Sequence, residues 1–121
     1  PPRSTLFPYT TLFRSLGVVK NEKIIEGMSG KFRQINRFVE TIDGIIDSSG
    51  LKNKDNLTVY DMGSGKGYLT FAVYDFLVNE LKTEADITGI EFRDDLVKLC
   101  NEIADECRFS GLIFATYGIS G

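Results

Sequence analysis

Three glycines at alternate positions, Gly63, Gly65 and Gly67, stand between a run of strand formers and a run of helical length. Leu57, Thr58, Val59 and Tyr60 come before them, Asp61 closes that run, and an apolar-rich segment extends from Tyr68 to Leu81. Glycines so spaced serve a turn that visits φ > 0 and let a ligand approach bare backbone. Strand, acidic residue, glycine turn and helix, in that order, make the βα unit that holds nucleotides. The amides that open the new helix then face whatever anion the ligand carries. A chain organised round this stretch is an α/β chain with a parallel sheet.

Two familiar glycine loops fit badly. A phosphate loop of the form G-x-x-x-x-G-K-[ST] needs glycine where Tyr60 stands and Ser or Thr where Gly67 stands. A dinucleotide fingerprint, G-x-G-x-x-G, starts well at Gly63-Ser64-Gly65, but its third glycine position falls on the bulky Tyr68. The string Asp61-Met62-Gly63-Ser64-Gly65-Lys66-Gly67 instead resembles, without gaps, the D-x-G-x-G-x-G motif of class I S-adenosylmethionine-dependent methyltransferases. YDMGSGKGYLTFAVYDFL followed by GIEFRDDLVKLCNEIA is similar to a bacterial branch of that superfamily, and the resemblance covers residues 31–118.

The resemblance implies a Rossmann-like domain, a doubly wound parallel sheet whose first three strands lie in the order 3-2-1, preceded by a helix. It implies S-adenosylmethionine as cofactor. Asp61 would help hold the methionine ammonium. Gly63, Ser64, Gly65 and Gly67 would line the amino-acid end with backbone amides. Glu91, closing the second strand in ITGIE, would take the ribose hydroxyls. The chemistry agrees, because a zwitterion wants a carboxylate on one side and amide donors on the other. The implied reaction is an in-line methyl displacement in which the protein aligns the partners and excludes water. The methyl acceptor is unidentified: RNA, protein and small molecules are all open. Relatives carry a further motif on strand four, beyond these residues, so the sequence reads as the first half of such a domain and no catalytic residue is named. Two other readings stay open, a half of an NAD-type dehydrogenase and a non-catalytic nucleotide-binding module.

Composition narrows the partners. The 121 residues carry a net charge of −3, with 42% hydrophobic and 26% charged residues, an ordinary globular balance without a basic footprint for nucleic acid. There is no histidine, so the commonest general base and metal ligand is missing. Cys100 and Cys107 lie seven apart without a CxxC, which suits small apolar residues on one helix face rather than a metal site. No apolar run reaches the roughly 18 residues of a membrane span, and a cytoplasmic enzyme is expected.

In chain order, residues 1–15 (PPRSTLFPYTTLFRS) hold the prolines and no acidic residue, and keep neither strand nor helix periodicity. They resemble a peptide translated from sequencing-adaptor DNA and are read as artefactual or disordered. Residues 16–56 form a helical lead-in: from 31 to 48 the period is helical, with Phe32, Ile35, Phe38, Val39, Ile42, Ile45 and Ile46 as a stripe packed on the sheet, and Gly50 as a stop. Lys31 and Gln34 are either solvated or within reach of the cofactor's carboxylate. Residues 57–121 make the cofactor-binding half-domain, with strands near 57–61, 86–91 and 112–116 and helices near 68–82 and 94–107. Asp94 or Asp95 is expected to cap the second of these helices. With only three strands, 57–61 would be an open sheet edge through which copies could associate.

Overall fold

A computed structural model describes residues 19–20, 23–24 and 29–116, with side chains from residue 30 onward. Residues 1–15 lie outside the described residues. The element order is β1 (Val19–Lys20), β2 (Lys23–Ile24), α1 (Ser29–Ser49), a 3-10 turn (Leu51–Asn53), β3 (Asn56–Met62), α2 (Tyr68–Asp75) with a π turn (Phe76–Glu80), β4 (Glu84–Ile90), α3 (Asp94–Glu106) and β5 (Leu112–Ala115). The antiparallel pair of β1 and β2 falls in a stretch that the sequence presents only as a transition.

The periodic stripe makes α1 a helix, and Gly50, at φ 79°, ends it where a left-handed residue is needed. Phe32, Ile35, Val39 and Ile46 are buried, and Phe38 and Ile42 pack at the margin of the core. Ile45 departs from the expected stripe and is 52% exposed. At roughly 100° per residue it lies about 100° round the helix from the centre of the buried face. The stripe packs against α2 and shares one hydrophobic core with Leu57 and Ile87 of the sheet.

The three long strands run parallel in the order β5-β4-β3, the 3-2-1 arrangement expected. The register pairs Asp61 with Gly89 and Gly89 with Phe114. Helix α2 and the start of its π turn are buried at every residue from Thr70 to Leu77, as their apolar breadth requires. The Phe71 ring lies 5.2 Å from that of Phe114 and 6.3 Å from that of Phe109, and Tyr74 stacks at 4.8 Å from Phe109. The helix expected to continue to Lys82 instead widens after Asp75. Leu81 N–H donates to Phe76 O and Thr83 N–H to Leu77 O, both at 2.9 Å, folding the chain back so that β4 begins at Glu84.

Helix α3 is not capped by Asp94 or Asp95. Arg93 holds the N-cap position with no side-chain cap, and both aspartates sit inside the first turn, where their charge suits the helix dipole. The reason lies one residue upstream, where the Glu91 carboxylate accepts the Arg93 N–H at 3.1 Å and sets the entry to the helix. Further along α3, Asn101 grips β5 with both ends of its amide. Its Nδ2 donates to Phe114 O at 2.9 Å, and its Oδ1 accepts Phe114 N–H at 2.8 Å.

Candidate functional site

The site is built at the carboxyl end of β3. Gly63, Gly65 and Gly67 have φ of 73°, 58° and 82°, so each adopts the conformation that made glycine the expected residue there. Gly63 and Ser64 N–H both donate to Ile90 O, at 2.7 and 2.9 Å, which ties the start of the loop to the end of β4. Gly67 N–H donates back to Ser64 O at 2.9 Å, and Gly65 N–H donates to Glu91 Oε1 at 2.9 Å. These four amides are therefore engaged within the chain. Among the described residues, the donors left to an anion are the amides of Lys66 and of the first turn of α2, Tyr68, Leu69 and Thr70, because Phe71 N–H makes the first intrahelical bond, to Gly67 O.

Cys100 braces the loop from behind. Its thiol is buried and directed at Lys66 O, 3.4 Å away, and burial pushes it up to about 11, so it is held as a neutral thiol. Cys100 sits in the core and Cys107, at the end of α3, packs at its margin, as the sequence suggested.

Asp61 is half-buried, and its Oδ2 accepts a hydrogen bond from Thr70 Oγ1, a buried group in the first turn of α2. Among the described residues Oδ1 has no partner, so this oxygen is available to a cationic donor. A cavity of about 250 Å³ opens here, lined by Asp61, Gly63, Ser64 and Gly67 together with Lys31, Gln34, Lys66 and Tyr68. Lys31 Nζ lies 4.9 Å above the Tyr68 ring, a cation–π placement that holds the ammonium at the cavity wall. Ser64 Oγ is buried with no hydrogen-bond partner, an unsatisfied polar atom at the edge of a ligand-sized space. One carboxylate, two ammonium groups and a turn of helix amides together suit a small zwitterion.

Glu91 is not in the wall of that cavity. It is 2% exposed, directly after β4, and lies beneath the glycine loop. Oε1 accepts the Gly65 amide, and Oε2 accepts the Arg93 amide and, at 2.7 Å, Arg93 Nε. The Arg93 bond, helped by the two amides, outweighs burial and holds the carboxyl down to about 2. Of the six expected site residues, four line one cavity, and Gly65 and Glu91 join each other behind it. Sequence reading missed Thr70 and Arg93. Arg93 stands two residues after Glu91, and that spacing was the available signal. Thr70 is nine residues from Asp61, and nothing local pointed to the pair.

The chain matches the family described as a methyltransferase domain over residues 30–120. No curated protein matches it. Among solved structures it is similar to a protein described as a sarcosine dimethylglycine methyltransferase from Galdieria sulphuraria. That pair has a TM-score of 0.54 and 16% identity over 72% of this chain and 30% of the other. A protein described as a class I S-adenosylmethionine-dependent methyltransferase from Listeria monocytogenes gives a TM-score of 0.46 and 12% identity, over 94% of this chain and 53% of that one. The chain thus spans about a third to a half of the length of these relatives. With three-quarters of its residues under the family match, the chain belongs to the methyltransferase domain family.

Proposed function

We propose that the chain binds S-adenosylmethionine and is the cofactor-holding part of an enzyme that passes the methyl group to a separate acceptor. The observation that carries this reading is the meeting, in one cavity, of Asp61 Oδ1, without a partner among the described residues, with the left-handed Gly63 and Gly67 and the first turn of α2. The residues fit the cofactor. Asp61 would take the ammonium of the methionine part, and the buried Ser64 Oγ would gain the partner it lacks. The first-turn amides, with Lys31, Gln34 or Lys66, would take the carboxylate. Glu91, a short step away beneath Gly65, would take the ribose hydroxyls. Bound S-adenosylmethionine supplies an electrophilic methyl group on a sulfonium. The chain's own contribution is to bind, orient and shield, which is the proximity part of catalysis. Neither Cys100 nor Cys107 is disulfide-bonded, which suits a reducing, cytoplasmic setting.

The acceptor is unidentified, and RNA, protein and small molecules remain the candidates. Among the described residues β3 pairs only with β4, and copies of the chain could pair through its other edge. Calorimetry on the chain with S-adenosylhomocysteine and with NAD tests the cofactor. The expected result is binding of the former and none of the latter, because Tyr68 stands where a dinucleotide turn wants glycine. Tighter binding of NAD would overturn the reading.

A further inference from the structure

We propose that Arg93 is a displaceable latch on the cofactor site, its guanidinium competing with a ribose diol for the same Glu91 oxygen. This rests on the assignment of Glu91 to the ribose made above, and it names a positioning residue that the motif does not contain. The inference comes from counting acceptors. A carboxylate offers about four acceptor positions, two on each oxygen. Gly65 N–H occupies one on Oε1, and Arg93 N–H and Arg93 Nε occupy both on Oε2. One position therefore remains, whereas a cis-diol donating both hydroxyls needs two.

Only one of the three donors can leave cheaply. The Gly65 amide is fixed by the glycine loop, and the Arg93 amide by the start of α3. The Arg93 side chain is 53% exposed, so its bond to Glu91 is open to competition from water and from a ligand. The guanidinium also lies over the loop: a Cβ placed on Gly65 would be 3.7 Å from Arg93 Nη2. Thus the same group covers the carboxylate and the stretch of bare backbone that a sugar would approach. It has somewhere to go. Its Cζ is already 5.8 Å from the centre of the exposed Phe92 ring, and Asp95 is near enough to reinforce its charge. The ionisable groups facing Glu91 are Arg93 and the Cys100 thiol, and of these Arg93 alone is cationic. The latch therefore has a second role, keeping a buried carboxyl charged until the diol arrives.

The test uses the whole chain and the variants Arg93→Ala, Arg93→Lys and Glu91→Gln. S-adenosylhomocysteine is the probe, followed by calorimetry and by the NMR signal of Arg93 Nε–H. On saturation the wild-type Nε–H signal should move from its carboxylate-bonded position. Arg93→Ala should bind about two- to fivefold tighter, the worth of an exposed ion pair, and Arg93→Lys should fall between the two. Glu91→Gln should bind far more weakly. Carboxyl NMR of Arg93→Ala should show Glu91 titrating higher than in the wild type, a change that loss of packing alone would not produce. Wild-type binding with equal or weaker binding by Arg93→Ala, or an Nε–H signal indifferent to ligand, would overturn the latch and leave the cofactor reading standing. Failure of every variant and of the wild type to bind would overturn the cofactor reading, and the latch with it.

Discussion

Gly67→Ala tests how closely the glycine loop is fitted to the core. Gly67 has φ 82°, and a Cβ there would lie 3.0 Å from Phe71 Cε2, 3.2 Å from Phe71 Cδ2 and 3.1 Å from Cys100 Sγ. The backbone term is about 1–2 kcal/mol for placing an L side chain in the left-handed region. The packing term is about 1–3 kcal/mol for an extra methyl in a filled space. Its upper half is expected here, because Phe71 is fully buried and its ring is hemmed by those of Phe109 and Phe114. Together these make a loss of about 3–5 kcal/mol, a large part of the roughly 5–15 kcal/mol by which domains are stable. Urea unfolding followed by circular dichroism and by tyrosine fluorescence should show a lower midpoint with an unchanged slope. A double-mutant cycle then separates the two terms. Cys100→Ala removes one of the clashing atoms, so Gly67→Ala should cost about 1 kcal/mol less in that background, a coupling typical of touching residues. The φ term and the Phe71 clash remain. A Gly67→Ala chain as stable as the wild type, or strict additivity with Cys100→Ala, would refute the geometry on which both the loop and the cavity rest.

Asp61→Ala should weaken S-adenosylhomocysteine binding by about 1.5–3 kcal/mol, the range for a hydrogen bond to a charged group, and calorimetry measures it directly. Asp75 is buried in α2, and burial raises it to about 6 despite the hydrogen bond from Asn79. The unfolded chain ionises it near 3.8, so its favourable contribution is complete below that pH and is lost as pH rises through about 6. Asp75→Asn should therefore be neutral near pH 3.5 and stabilising by about 1–3 kcal/mol above pH 7, read from melting curves across pH. Glu91 has the opposite sign. Its carboxyl is lowered from 4.5 to about 2, so its contribution is present above 4.5 and disappears as pH falls through 2. Glu91→Gln should flatten that acid limb, and an unaltered limb would show that the ion pair is absent in solution.

The strand–loop–helix unit was legible because its cause is local. Glycine at 63, 65 and 67 answers a backbone conformation set within a few residues, and the positive φ values follow directly. The parallel order of the strands was legible for a related reason, since one helix between each pair of strands leaves little topological choice. Features that depend on what lies across the chain were not legible. Ile45 shares the sequence period of α1 but falls outside the face that α2 covers. The π turn after Asp75 depends on where β4 must begin. Asp94 and Asp95 look like caps, yet the Glu91 carboxylate starts α3 one residue earlier. The site divides in the same way. Asp61 and Glu91 were identifiable by type and position, whereas their partners Thr70 and Arg93 became visible only when side chains met in space.

Asn101 gives the sheet a direction of growth. On β5 the even-numbered residues turn away from β4, since Ile87 and Glu91 N–H reach Gly111 and Ala115 O on the inner side. Of the outer groups, Phe114 N–H and C=O both end on the Asn101 amide, and Leu112 N–H ends on Phe109 O. That rim is spoken for by the chain's own side chain and turn, so an incoming strand would find almost no backbone to dock on. Among the described residues β3 pairs only with β4, and Tyr60 and Met62 are exposed along it at 67% and 69%. Any further strand, whether contributed by a longer form of this chain or by a neighbour, is thereby steered to one rim. An edit of nearly equal volume such as Asn101→Leu would make the sheet ambidextrous, opening to filament-like stacking a protein that otherwise can be extended from one side only.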